Sequence, residues 1–292
     1  MRYFTETLRS LIVIAMLALI GIVVLDLDIF LRAYHALQEG SFTVQRLRFD
    51  IASFDIGRRS SVVPAAAKVS AKDGMIQLFV PAGEFEMGDE GKKVYLDAFW
   101  IDRVEVTNAM YEKCVEEDAC GLPIISSNSY YGKWAYRDYP VVYVDWFQAN
   151  QYCGWAGRKL PTEAQWEKAA RGTDGRKYPW GNTQPNPRLV NYKGSLIGES
   201  ASSFRYPLGQ SPYGALNMAG NVREWVADWF SPTYYQVSPY MNPTGPATGT
   251  ERSLRSGAYD ADAKEIMTYF RFRHEPQSAG LSRGFRCAES GD

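Results

Sequence analysis

Histidine is almost missing: His35 and His274 are the whole supply in 292 residues. His35 lies beside the apolar run near the N-terminus, so His274 stands alone. A two-histidine, one-carboxylate metal centre is therefore excluded. No Ser-His-Asp or P-loop pattern occurs either. Cysteine is scarce, with Cys114, Cys120, Cys153 and Cys287 alone, and their spacings match neither a zinc ribbon nor C-x-x-C. Charge of one sign is not in excess. The 32 basic residues face 33 acidic ones, for a net charge of −1, so no global field points to nucleic acid. The stretch Leu11–Leu25 is apolar and uncharged over fifteen residues, short of the roughly 20 that span a bilayer. There is no repeat of fixed period and no low-complexity tract.

What is present is a large apolar supply, 46% hydrophobic and 14% aromatic, enough for a sizeable core. Gly 25, Pro 15, Tyr 19 and Trp 8 point to a loop-rich fold with little long helix. Arg2 and Arg9 precede Leu11–Leu25, and Asp26, Asp28 and then Ile29-Phe30-Leu31 follow. A cleaved signal peptide shares this charge pattern and run length, but no small-x-small cleavage site follows. The reading is an uncleaved signal anchor over 10–31, with residues 1–9 cytoplasmic and the remainder extracytoplasmic on a single-pass membrane protein. Residues 32–72 read as a stalk or linker: Gly40 and Ser41 break the membrane-proximal helix, and Ser60–Lys72 is rich in Ser, Ala and Val with Pro64. The folded domain is placed at 73–292. In an exported chain, four cysteines suggest two bridges. Cys114 and Cys120 enclose only Val-Glu-Glu-Asp-Ala, which leaves Cys153 for Cys287.

Within the domain, Met75–Val80 is strand-like and ends at Pro81. Gly83–Gly88 follows, and Val94–Ile101 has a second strand pattern. Thr107 can cap a helix in which Tyr111 and Cys114 share a face. A second helix is expected over Trp146–Gly157. A third starts with Thr162 and Gln165 in capping-box spacing and stops at Gly172. After 173, Gly, Pro and Asn recur every few residues, as long loops with short strands require. The Trp set, Trp155, Trp166, Trp180, Trp225 and Trp229, reads as core.

Blocks along the chain occur in a fixed order: Gly83-x-Phe85-x-Met87-Gly88; Phe99-x-Ile101-Asp102-x-x-Glu105-Val106-Thr107; Pro140-Val141-x-x-Val144-x-Trp146; Tyr152-Cys153-x-Trp155-Ala156-Gly157-Arg158-Lys159-Leu160-Pro161-Thr162-Glu163-Ala164-x-Trp166-Glu167; Tyr178-Pro179-Trp180-Gly181; Asn217-x-x-Gly220-Asn221-Val222-x-Glu224-Trp225; and Gly284-Phe285-Arg286-Cys287. Taken together they resemble the formylglycine-generating enzyme (sulfatase-modifying factor) domain family. The resemblance implies a C-type-lectin-related α+β domain with low regular structure, a bridge between cysteines at the positions of Cys153 and Cys287, and metal-stabilised loops. It implies structural calcium held by Asn217, Gly220, Val222 and Glu224, with side-chain oxygens from the first and last and carbonyls from the middle two. The alternative is a hydrogen-bonded turn in which Glu224 pairs with Arg223 or Arg255. A second calcium site is only half-matched, by Asn191 and Tyr192, with Glu199 in place of an aspartate.

The family's enzymes hold copper on a cysteine pair whose first member falls near Ala261 and whose second falls between Ala263 and Ile266. The window Tyr259–Arg271 contains no cysteine, and Ala258 stands where those enzymes carry serine. Cu(I) is soft and requires thiolate, so copper is not expected and no catalytic residue is assigned. Because function lives in sites grafted on folds, the expectation is a non-catalytic, membrane-anchored module. It binds a protein, peptide or glycan, as an accessory subunit of a membrane complex. The expected surface is Tyr259, Asp260, Asp262, Tyr269, Arg271 and Arg273, with Phe270, Trp134 and Tyr136 as neighbours. Two alternatives stand beside it: an enzyme of another reaction class on the same scaffold (an oxidoreductase or maturation enzyme), and a purely structural envelope protein.

Overall fold

The computed structural model describes residues 67–124 and 130–291. The expected membrane anchor and most of the stalk lie outside the described residues. Among the described residues, no helix is long and apolar enough to cross a membrane.

Three sheets carry the chain. In the first, β1 (Ala67–Val69), β2 (Ile76–Val80), β5 (Phe99–Asp102) and β10 (Ala288–Ser290) pair antiparallel in that order. The second is a hairpin of β3 (Gly83–Met87) and β4 (Lys92–Leu96). In the third, β8 (Phe272–His274), β7 (Arg252–Arg255), β6 (Arg223–Trp229) and β9 (Arg283–Phe285) lie side by side, with β6 and β9 parallel. The helices are α1 (Asn108–Glu116), α2 (Trp146–Trp155), α3 (Glu163–Arg171) and the short α4 (Tyr234–Val237).

Two sequence expectations are corrected here. The run Val94–Ile101 is not one strand. It breaks at Asp97-Ala98, and its halves join different sheets. A boundary at Asp73 cuts a β-hairpin, since Ala67–Val69 pairs with Ile76–Leu78 and Lys68 ion-pairs with Glu289 at 2.8 Å. The helix signals hold. Thr107 and Thr162 cap α1 and α3, and Thr162 with Gln165 closes a capping box. Asp145 and Gln148 close another ahead of α2, which the sequence reading did not assign. Trp166 and Trp225 are fully buried, whereas Trp155, Trp180 and Trp229 are half-buried.

Both expected disulfides are formed, Cys114–Cys120 and Cys153–Cys287. The second sits at the crossing point of the fold. The chain leaves the third sheet at Phe285 and enters the first at Ala288, so Arg286 and Cys287 form the link between the two sheets. Phe285 packs edge-on against Tyr111 and Tyr152. The Cys287 amide donates to Asp102 Oδ2.

Candidate functional site

Arg286 is fully buried and its whole fork is engaged. Its Nε and Nη2 donate to the two oxygens of Glu224 at 2.6 and 2.7 Å, and the remaining donors reach the carbonyls of Asp102, Arg103 and Leu216. Trp166 Nε1 also donates to Glu224, at 2.7 Å. Glu224 therefore pairs with Arg286, not with Arg223 or Arg255 as the turn alternative supposed. Arg223 instead pairs with Asp260, and Arg255 with Glu163 and Glu167.

Around this pair lies a buried polar box. Asn217 and Asn221, both in the left-handed region (φ 54° and 61°), donate their amides to the two oxygens of Glu105. Burial raises the Glu105 carboxyl to about 7, with the neighbouring Glu224 adding to the effect. Arg158 joins Asp73 to Asp102 on the other side. Burial works to raise the Asp73 carboxyl, but Arg158 and the Ser70, Tyr152 and Met75 donors outweigh it and hold it below its ordinary value. The turn tolerates only glycine at Gly220, where φ is 70° and a Cβ would come 2.1 Å from the Asn191 carbonyl oxygen.

Of the residues expected to hold calcium, Asn217 donates to Glu105 and Glu224 accepts from Arg286 at this box. The Ser256 hydroxyl donates to the Gly220 carbonyl at 2.9 Å, and the Asn217 carbonyl lies 3.1 Å from its Oγ. Among the described residues, no three carboxylates, cysteines or histidines converge as a metal group, so an ion here would lean on amide and carbonyl oxygens. At the half-matched second site, the Asn191 amide donates directly to the Glu199 carbonyl, and the Glu199 carboxylate accepts from Tyr130 at 2.5 Å.

Where the resemblance places the copper cysteines, near Ala261 and between Ala263 and Ile266, the two ends of the stretch pack in an apolar cluster and Lys264 between them is exposed. Ala261 and Ile266 are buried with Tyr178, Val190 and Ala219, and Met267 and Tyr192 pack against them. All four cysteines of the chain are in disulfides. The side chains present do not fit copper.

The expected binding residues separate into different surroundings. Tyr259 and Asp260 line an open pocket of about 390 Å³ with Lys193, Leu196 and Gly198. Lys193 pairs with Asp262 at 3.1 Å, and Leu196 is 91% exposed. Arg271 does not belong to that surface. It grips Glu163 with two bonds of 2.8 Å, donates to the Ser231 carbonyl, and lies over Tyr235 and Phe230. Tyr269 is half-buried under Arg171. Arg273 is exposed and pairs with Glu251. Phe270 packs on Phe272, and Tyr136 is buried against Tyr130.

Arg271 and Arg255 belong to a second buried network, with Glu163, Glu167 and Asp228, that the sequence reading missed. Asp228 Oδ2 accepts from the Glu163 amide at the start of α3. Burial, and then the Glu163 carboxylate, raise the Asp228 carboxyl to about 8. The folded state thus holds a proton between pH 4 and 8 that the unfolded chain releases, and the stability it carries is lost as pH rises through that window. An Asp228→Asn variant keeps an acceptor for the Glu163 amide. Its stability relative to the parent should grow between pH 4 and 8 by more than about 1.4 kcal/mol, the equivalent of one pKa unit. Urea titrations across that range measure this, and parallel pH curves would refute the assignment.

Comparison with known proteins places this geometry. Residues 61–290 match the family described as the sulfatase-modifying factor enzyme 1-like domain. The formylglycine-generating enzyme of Streptomyces coelicolor is 34% identical, over 78% of this chain and 92% of that protein. Hercynine oxygenase of Mycolicibacterium thermoresistibile is 32% identical, over 67% of this chain and 51% of that protein. The solved structure of PvdO from Pseudomonas aeruginosa superposes with a TM-score of 0.66 at 23% identity, over 78% of this chain and 98% of that one, a likeness of fold.

Proposed function

We propose, from the premise that this chain belongs to the sulfatase-modifying factor enzyme 1-like domain family, that it is a membrane-anchored extracytoplasmic member without the copper oxidase reaction. It serves as a ligand-binding accessory subunit of a membrane complex. One observation carries the loss of chemistry: the stretch Ala261–Ile266, where thiolates would be required, has no cysteine, and its two ends pack into an apolar cluster. The binding face is the open pocket of Tyr259, Asp260, Lys193 and Leu196, with Asp262 at its rim. Calcium, held by Asn217, Gly220, Val222 and Glu224, stabilises the loops behind that face.

The second reading is an enzyme of another reaction class on this scaffold. It is favoured by the likeness to hercynine oxygenase, an enzyme named for a reaction other than formylglycine synthesis. Its groups would have to converge on the same pocket.

Mild-detergent extraction from native membranes and affinity purification, in calcium or in EGTA, tests both parts of the proposal. A stoichiometric companion should co-purify with the parent and be lost from Tyr259→Ala and Asp262→Lys variants. The domain should melt higher in calcium. A solitary monomer sinks the subunit reading, and identical melting in EGTA sinks the calcium one.

A further inference from the structure

Two arginines face one another across the parallel ladder of β6 and β9, and one of them pairs with Asp260, which lines this pocket. Arg223 of β6 and Arg283 of β9 are register partners. Like charges placed opposite one another on neighbouring strands destabilise a sheet. The guanidiniums of Arg158, Arg255, Arg271 and Arg286 each grip carboxylates, whereas part-buried Arg252 lies between the rings of Trp146 and Trp229. Arg223 has one such partner, Asp260 at 3.0 Å, on a half-exposed loop. Arg283 has none among the described residues.

The donors at this pair are only partly used. Arg283 is half-buried, and its Nη1 donates to Ser278 Oγ at 2.9 Å. Its other N–H groups have no acceptor among the described residues. Arg223 Nη1 donates to Ser282 Oγ at 3.0 Å, and its face is covered by the Phe272 ring at 4.7 Å. A serine that accepts from a guanidinium keeps its own O–H to give. Neither Ser278 nor Ser282 donates that O–H to a protein acceptor among the described residues. Gly280 permits the arrangement, since a Cβ there would press to 3.1 Å from Arg283 Nη1.

We propose that Arg223 and Arg283, with the hydroxyls of Ser278 and Ser282, form a receptor for a carboxylate on the ligand of this domain. Asp260 already places one carboxylate on Arg223 and shows the chemistry the pair selects. An incoming carboxylate bridges the two guanidiniums, relieves their repulsion and competes with Asp260 for Arg223. Charge-assisted, two-donor contacts of this kind are the strong class of hydrogen bond. The inference draws its biological sense from the ligand-binding reading of the Tyr259 loop, but the site stands on the geometry of the pair.

Titration of the purified protein with glutarate, followed by thermal shift and calorimetry, tests the proposal. Sodium chloride and inorganic phosphate at matched ionic strength serve as comparisons. Saturable binding of glutarate is expected, weakened about tenfold or more in Arg283→Gln. Asp260→Asn should bind glutarate more tightly than the parent, a gain that misfolding cannot produce. The proposal is overturned by a parent response no larger than that to chloride, by unchanged affinity in either variant, or by phosphate binding tighter than glutarate. If glutarate fails while the stoichiometric companion is still captured, the receptor is wrong and the accessory-subunit reading survives.

Discussion

An Arg286→Ala variant is expected to lose most of the stability of the domain and to fail to accumulate in folded form. The substitution leaves Glu224 buried without its cation. It also removes a donor from the carbonyls of Asp102 and Leu216, whereas the Arg103 carbonyl keeps the Leu216 N–H. Removing one partner of a buried ion pair costs about 3–5 kcal/mol, and each orphaned buried acceptor adds about 1 kcal/mol or more. A domain of this kind has about 5–15 kcal/mol in all. The double variant Arg286→Met with Glu224→Gln removes both charges and keeps an acceptor for Trp166 Nε1, so it should recover a large part of the loss. Urea unfolding of the parent, the single and the double variants forms the cycle. Equal losses in the single and double variants would show that the pair is not what carries the effect.

Cys287→Ser with Cys153→Ser is expected to produce the second-largest effect. The bridge closes a loop of 134 residues in sequence separation, for which the chain-entropy model assigns about 5 kcal/mol. At roughly 2–4 °C per kcal/mol for a domain of this size, the midpoint should fall by about 10–20 °C. Cys114→Ser with Cys120→Ser closes a separation of only six residues and should cost clearly less, because loop-closure entropy grows with loop length. Thermal unfolding under non-reducing conditions ranks the two. A smaller shift for the long bridge than for the short one would contradict the entropic account.

These two effects meet at one place, because Arg286 and Cys287 are consecutive and link two sheets. In the sequence they appear only as the end of a Gly-Phe-Arg-Cys motif, read as a mark of the family. That Glu224 should pair with Arg286, rather than with Arg223 or Arg255, both nearer to it in the chain, follows from the parallel pairing of β6 with β9. That pairing sets Arg223 against Arg283 and Glu224 against Gly284. Likewise, Arg271 reads on paper as a neighbour of the exposed loop. Its place in the chain, one residue before β8, carries it instead to Glu163 at the start of α3. Asp228 gave no sequence signal, and Glu105 and Asn221 stood only as members of the ordered blocks, with no partner indicated. A buried carboxylate is distinguished from a solvated one by partners brought from far along the chain.

The amino-acid sequence by itself determined the local features whose causes are local. Thr107 and Thr162 cap their helices because a side-chain oxygen reaches a backbone N–H three residues on. The pairing of Cys114 with Cys120 follows from a six-residue separation. The absence of cysteine from 259–271 bars copper–thiolate chemistry wherever that loop lies. Tertiary structure alone decided which charged residues are interior, which loop residues share a pocket, and that Arg223 and Arg283 stand side by side. Each of those depends on strand register and on contacts between residues tens to hundreds of positions apart. Burial energies set such contacts collectively, and no local spacing encodes them.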